Sequence, residues 1–163
     1  MILSDKSIRR ELDDSGRLVV EPQPTEKQIQ PPSLGVRLGE KLYNVDTDYT
    51  SQQDDFHRLE PNTRYLGHTV ETINLSDDLA AQLTGRSTFG RLFVTIHQTA
   101  GWIDPSFEGQ ITLEIMNFGN SRVFIDIDDR VGQLVFFELD QPSSGYDGKY
   151  QGQNKIQKAV IDE

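Results

Sequence analysis

GRSTFGRLFVTIHQTAGWIDPSFEGQITLE, from Gly85 to Glu114, is where strand pattern and polar chemistry lie closest together in this chain. Two stretches in and just beyond it, RLFVTIHQ (91–98) and GQITLEIMNF (109–118), have the composition of strands. In ITLEI, Ile111, Leu113 and Ile115 share one face and Thr112, Glu114 and Met116 the other, because successive strand side chains point to opposite sides. If the first face packs the core, Glu114 turns toward a cavity, a subunit interface or solvent. Such a carboxylate is solvated, salt-bridged or functional, and alternation alone leaves the three open.

Outward from this run the same pattern repeats. SRVFIDI (121–127) and RVGQLVFFEL (130–139) read as strands joined by an Asp128-Asp129 turn, and the tail from Asp140 has little periodicity. Upstream, Ser76-Asp77-Asp78 reads as a helix N-cap before one turn, LAAQL, closed by Gly85. Arg64 to Leu75 is strand-like, and the acidic stretch from Asp46 to Arg58 reads as a solvated surface loop. SLGVRLGEKLYNV (33–45) alternates like a half-buried strand. Four of the seven prolines (Pro22, Pro24, Pro31, Pro32) make 21–33 an extended connector. RLVVE (17–21) is a short strand after a turn at 13–16, and Met1 to Leu12 forms a short helix capped by Ser4. Many short strands between Gly, Pro and Asp turns predict an all-β barrel or jelly roll with one or two short helices, in a single domain over residues 1–163.

Composition narrows the function classes. The chain carries 26 acidic and 16 basic residues, a formal charge of −10, which disfavours nucleic acid as a partner. No apolar run approaches the ~20 residues of a membrane helix, and MILSDKSIRR has no secretory apolar stretch, so a soluble, cytoplasmic protein is expected. There is no cysteine, hence no disulfide framework and no thiolate metal site. Asp is abundant and Lys sparse, a surface suited to concentrated salt as well as to an ordinary acidic protein. The salt-adapted reading predicts higher thermal stability in molar KCl than in dilute buffer.

Within the opening run, Ser87 and Thr88 flanked by Arg86 and Arg91 are suitable partners for phosphate oxygens, although the same residues also suit an ordinary surface turn. His97, on the face of Phe93 and Thr95, reads as a structural hydrogen-bonder. Asp104 precedes Pro105 and reads equally as a turn residue or a functional one.

The run from GRSTFGRL through HQTAGWIDPSFEGQITLE resembles the signature of the dCTP deaminase family, relatives of the trimeric dUTPases. MILSD, IQPPSLGVRLG (29–39), LSDDLAAQLTGR (75–86), VGQLVFFEL (131–139) and KYQGQ (149–153) follow in the family's order, so the likeness spans nearly the whole chain. It implies a distorted jelly-roll of the trimeric dUTPase-like type, a homotrimer with active sites shared between subunits, and a flexible tail (about 140–163) that closes over the site. It implies hydrolysis of dCTP without zinc; zinc nucleobase deaminases need a cysteine-containing ligand set that this chain lacks.

By resemblance, Glu114 takes a proton from the water attacking C4 of cytosine and delivers it to the departing ammonia, work that typically contributes ~10²–10⁴-fold. Ser87 and Arg91 hold that water and polarise the base. Arg86 and Thr88 hold phosphates, with Phe89 and Gly90 in the same nucleotide-binding run. Asp104 serves the sugar and water side, Thr112 and Leu113 offer main-chain contacts to the base edge, and Gln133 reaches the nucleotide. Tyr146, Lys149 and Gln153 come from the closing tail. Mg²⁺ arrives with the triphosphate, and dTTP is a possible inhibitor.

Gly101-Trp102 before Ile103-Asp104 resembles the bifunctional members, which continue from dUTP to dUMP and diphosphate; monofunctional enterobacterial enzymes carry larger polar residues there. The dUMP-forming reaction is therefore expected, with Asp104 orienting the second water. The alternatives are a deaminase that releases dUTP, a plain dUTPase, and a non-catalytic nucleotide-sensing trimer. The chain lacks the Gly-rich C-terminal motif of dUTPases, and a sensor has no need of the proton carrier Glu114. Two departures stand out: Gly35 where the family usually has Asp, and a shortened tail between Tyr146 and Lys149.

Overall fold

The computed structural model describes residues 1–161, the side chains of residues 14 and 15 excepted. Ser4 caps helix α1 (Asp5–Arg10) by accepting a hydrogen bond from the Ser7 amide, as its hydroxyl and position predict. A π-helical turn (Glu11–Ser15) follows, carrying the helix through most of the turn expected at 13–16 and ending at the left-handed Gly16. The strands then run β1 (Leu18–Glu21), β2 (Ile29–Gln30), β3 (Ser33–Arg37), β4 (Lys41–Asn44), β5 (Tyr49–Gln52), β6 (Phe56–Leu59), β7 (Thr63–Leu75) and β8 (Leu79–Gly85). A single helical turn, α2 (Ser87–Arg91), precedes β9 (Val94–Thr95), β10 (Trp102–Ile103), β11 (Glu108–Asn117), β12 (Val123–Asp126) and β13 (Arg130–Glu138).

These strands form two main sheets and a two-stranded ribbon. One sheet has the order β5-β4-β7-β11-β9, with β1 also on β7; the other has the order β10-β8-β13-β3-β2; β12 pairs β6. The inward residues of both main sheets, among them Leu34, Ile73, Leu83, Leu113, Leu134 and Phe136, merge into one apolar cluster. The protein is all-β with a few short helices, as expected.

Several local expectations are corrected. LAAQL is not a helical turn but the body of β8, paired on both sides, with Leu83 opposite Leu134 and Ala81 opposite Phe136. Five helix-favouring residues cannot sustain a helix alone, whereas pairing with β13 along its length and with β10 at Ala81 and Gln82 supplies backbone partners. The Ser76-Asp77-Asp78 turn is held instead by Arg17, whose guanidinium donates to both Asp78 oxygens at 3.1 and 2.8 Å. RLFVTIHQ is not one strand: its first residue ends α2, Phe93 is left-handed (φ 59), and only Val94–Thr95 extends, so Phe93 and His97 do not share a strand face.

SLGVRLGEKLYNV divides into β3, almost wholly buried, and β4. The acidic loop at 46–58 contains β5, the exposed and polar outer strand of a hairpin with β4, and most of β6, which pairs with β12. The connector at 21–33 likewise contains the short β2.

One polar contact ties the two sheets together. The fully buried Glu71 of β7 accepts from Arg37 Nε (2.6 Å), the Arg37 amide (2.9 Å) and Gln28 Nε2 (2.8 Å). Three donors on one carboxylate are what burial of its charge requires.

Candidate active site

Strand β11 carries the centre of the site. Ile111, Leu113 and Ile115 are buried, and Thr112, Glu114 and Met116 lie half-buried on the opposite face, as alternation predicts. The Glu114 amide donates to Ile96 O at 3.0 Å, and Glu114 Oε2 accepts from the Gln98 amide at 2.8 Å. The carboxylate is thus tethered through one oxygen by the loop after β9.

Glu114 lines an open cavity of about 730 Å³ with Asp104, Thr112, Trp102, Tyr146 and Gln153. Asp104 comes from the loop after β10, whose Trp102 ring stacks obliquely on Phe137 at 5.6 Å. Gly101 is buried because β8 passes over it: Leu83 N donates to Gly101 O at 2.7 Å, and an added Cβ would lie 2.7 Å from Leu83 O and 3.1 Å from His97 Cε1. A larger residue there must displace β10, and Trp102 with it. His97 Nδ1 is buried beside this glycine without a hydrogen-bond partner.

The tail is ordered against the far side of the cavity. Gly152 N donates to Glu108 O and Gln110 N donates to Gln153 O, both at 2.8 Å, so the tail adds a short rung to the edge of β11. Thr112 Oγ1 donates to Gln153 Oε1 at 3.5 Å. Tyr146 packs on Phe107, and its hydroxyl accepts from the Tyr150 amide. Lys149 reaches Val160 O at 2.5 Å and does not line the cavity.

Sequence reasoning missed a further part of the wall: Tyr43, Val45, Leu66, Tyr150, Gln157 and Lys158. Tyr43 and Lys158 converge on Asp48, and the Tyr43 hydroxyl first, then the Lys158 ammonium, hold its carboxyl below the ordinary carboxylate value. Only the alternation of KLYNV hinted at Tyr43; nothing in the aperiodic tail marked Lys158.

The remaining sequence-predicted residues lie apart from this cavity. Ser87, Thr88, Gly90 and Arg91 are exposed on α2, and an added Cβ at Gly90 would meet nothing. Phe89 roots that turn in the core, and the Leu113 side chain is fully buried, so only main-chain atoms of these two can face a ligand. Arg86 Nη1 donates to Arg130 O at 2.9 Å. Gln133 stands between Thr84 and Gly35 in the second sheet and accepts from Ser33 Oγ at 3.0 Å. Gly35 leaves room for the stem of Arg130, whose Cδ would lie 2.8 Å from a Cβ there. The chain therefore carries two separate groups of these residues: an acidic, aromatic cavity on β11 and a polar, basic surface on α2 and β13.

Among the described residues there is no group of three or more His, Cys, Asp or Glu side chains placed to hold a metal, and no helix long and apolar enough to cross a membrane.

The fold matches solved structures of nucleotide-hydrolysing enzymes. A 2'-deoxycytidine 5'-triphosphate deaminase from Agrobacterium tumefaciens superposes with a TM-score of 0.72 at 25% identity over 83% of this chain, which spans 46% of that longer chain. The dUTPase of phage phi11 of S. aureus, a mutant described with a structural Mg(II) ion, gives 0.57 at 15% identity over 80% of this chain and 99% of that one. The architecture is thus dUTPase-like.

A "dCTP deaminase-like" family model matches residues 2–139. A dUMP-forming dCTP deaminase of Methanosphaera stadtmanae is 40% identical over 99% of this chain and 94% of its own length. A dCTP deaminase of Natronomonas pharaonis is 38% identical over 99% and 95%. The chain belongs to the dCTP deaminase-like family.

Proposed function

We propose that this protein hydrolyses dCTP, releasing ammonia, and carries the uracil nucleotide on to dUMP and diphosphate. The observation that carries the reading is Glu114, a half-buried carboxylate on the non-core face of β11, lining a cavity with Asp104 and tethered by the Gln98 amide. A base so placed accepts a proton from water as it attacks C4 of cytosine and returns it to the leaving amine. Tethering one oxygen fixes the direction of the other, which is what repeated proton transfer at a single position needs. Asp104, across the same cavity, orients a second water toward the bond between the α- and β-phosphates. Names of close relatives support the dUMP-forming version. Trp102 supports it structurally, because Gly101 lets β10 lie close to β8 and presents the ring to the cavity.

The cavity by itself holds little cationic charge to face a triphosphate. The second group supplies it: Arg86 and Arg91 with Ser87 and Thr88 complete the site from a neighbouring copy, in a homotrimer with three shared sites, and Gln133 belongs to that contribution. Tyr146, Lys149 and Gln153 close over the nucleotide from the tail, which moves to admit it. The residues present fit Mg²⁺ as part of the substrate rather than in a protein cage: hard Mg²⁺ commonly binds through substrate phosphates and a few carboxylates, and Asp104 is the exposed carboxylate in reach of the cavity. dTTP, sharing the sugar and triphosphate, fits as an inhibitor.

Incubation with dCTP and Mg²⁺, followed by chromatography, tests the reading. A dUMP peak without accumulating dUTP is expected. dUTP alone reduces the activity to the first step, and unchanged dCTP overturns the proposal.

A further inference from the structure

The far end of the tail is anchored by a contact that the catalytic reading does not use. After Gln153 the tail leaves the edge of β11 and crosses the cavity. The Gln157 amide donates to Thr112 Oγ1 at 3.3 Å, and the Val160 amide donates to the Tyr150 hydroxyl at 3.3 Å. Lys158 then carries the segment to a different element. Its Nζ lies 3.1 Å from Asp48 Oδ1 and 3.9 Å from the centroid of the Tyr43 ring, and the Tyr43 hydroxyl donates to the same Asp48 oxygen at 2.8 Å. Asp48 sits in the β4–β5 turn with φ 52, a left-handed conformation that Asp tolerates better than most residues.

The position of this contact matters. Tyr43 pairs with Leu66, and Leu66 pairs with Glu114, so the three lie in one row across β4, β7 and β11. Two strand spacings, about 10 Å, separate the Tyr43 backbone from that of Glu114. A segment pinned at Thr112 and at Asp48 therefore spans the row that holds the proton carrier.

We propose that Lys158, Asp48 and Tyr43 form a latch that holds the C-terminal segment across the cavity before substrate arrives, with Lys158 a positioning residue for nucleotide binding; the second part rests on the deaminase reading above. All of its charged groups are solvent-exposed, so the latch is weak, reversible and screened by salt, as an opening lid requires.

Amide hydrogen exchange of the full-length protein tests it through the peptide 151–161. Without the ion pair, in D48N and in K158A, the tail amides exchange about fivefold faster, the upper range for loss of an exposed pair, while β7 and β11 are unchanged. K158R keeps the wild-type rate. Equal tail exchange in wild type, D48N and K158A overturns the latch. In turnover, K158A raises the KM for dCTP about fivefold with kcat within twofold, and K158R restores it, the signature of lost uniform binding. A fall in kcat at constant KM overturns the positioning role. If even the wild type leaves dCTP unchanged, the exchange result still decides the latch, and only the deaminase reading falls.

Discussion

Glu114 and His57 show how one side chain's surroundings set its use. Glu114 is polar on a face that its strand neighbours leave half-open, and the Gln98 amide takes one of its oxygens. Glu114→Gln keeps the shape and the acceptor but cannot take up a proton. Ammonia release is expected to fall at least about 100-fold while dCTP still binds, measured by coupled ammonia assay and calorimetry.

His57 is nearly inaccessible, with Nε2 2.7 Å from Gly39 O and Nδ1 without a partner. The carbonyl can only accept, so Nε2 carries the hydrogen, and burial with no partner at Nδ1 favours the neutral ring. Burial pushes its pKa below the ordinary 6.5, the Gly39 carbonyl opposes this, and the nearby His68 adds to it. The unfolded chain then binds the proton first. The stabilising contribution is complete above pH 6.5 and is lost as pH falls from there through the folded value. His57→Gln, which retains a donor for Gly39 O, is expected to flatten the acid side of the stability profile, read from urea midpoints across that range.

At the scale of elements, the strand pattern was legible where one face is buried and the other is not. β7 and β11 fall within a residue or two of their expected limits; in β11 the apolar residues alternate cleanly, whereas β7 is marked by its β-branched and aromatic content, with Thr69 and Glu71 on its buried face. β8 was misread because Leu, Ala and Gln favour a helix, and only its pairing with β13 and β10 reverses that preference. The β4–β5 hairpin was hidden because its outer strand is exposed and polar, so no period distinguishes it from a loop. The Glu71–Arg37 contact was equally invisible, since the two residues are 34 apart in sequence and meet only when β3 packs over β7. Glu71→Ala leaves the Arg37 guanidinium, itself largely buried, with only the exposed Asp128 at 3.3 Å as a carboxylate partner, and strips Gln28 and the Arg37 amide of their acceptor. A loss of ~3–5 kcal/mol is expected, a large share of a small domain's stability, measurable by denaturant titration.

At the scale of the whole molecule, the separation of the β11 cavity from the α2 residues makes the proposed shared site directly testable. Glu114→Gln and Arg91→Ala proteins are each expected to be inactive alone. If each site draws Glu114 from one subunit and Arg91 from another, random 1:1 mixed trimers carry an intact pair at about a quarter of their sites. Activity should return on mixing from dissociated subunits; continued inactivity places both residues in one subunit's site.

What the sequence determined alone were properties carried by neighbours along the chain: the all-β class, the outward face of Glu114, the cap at Ser4 and the family likeness. These rest on alternation, hydroxyl chemistry and a contiguous motif, all local. Tertiary structure decided the rest. It made LAAQL a strand, set Gly101 beneath β8, separated α2 from the cavity, and brought Lys158 to Asp48 from 110 residues away. Each depends on which segments meet in space, and a backbone hydrogen bond or an ion pair to a distant partner leaves no period in the sequence.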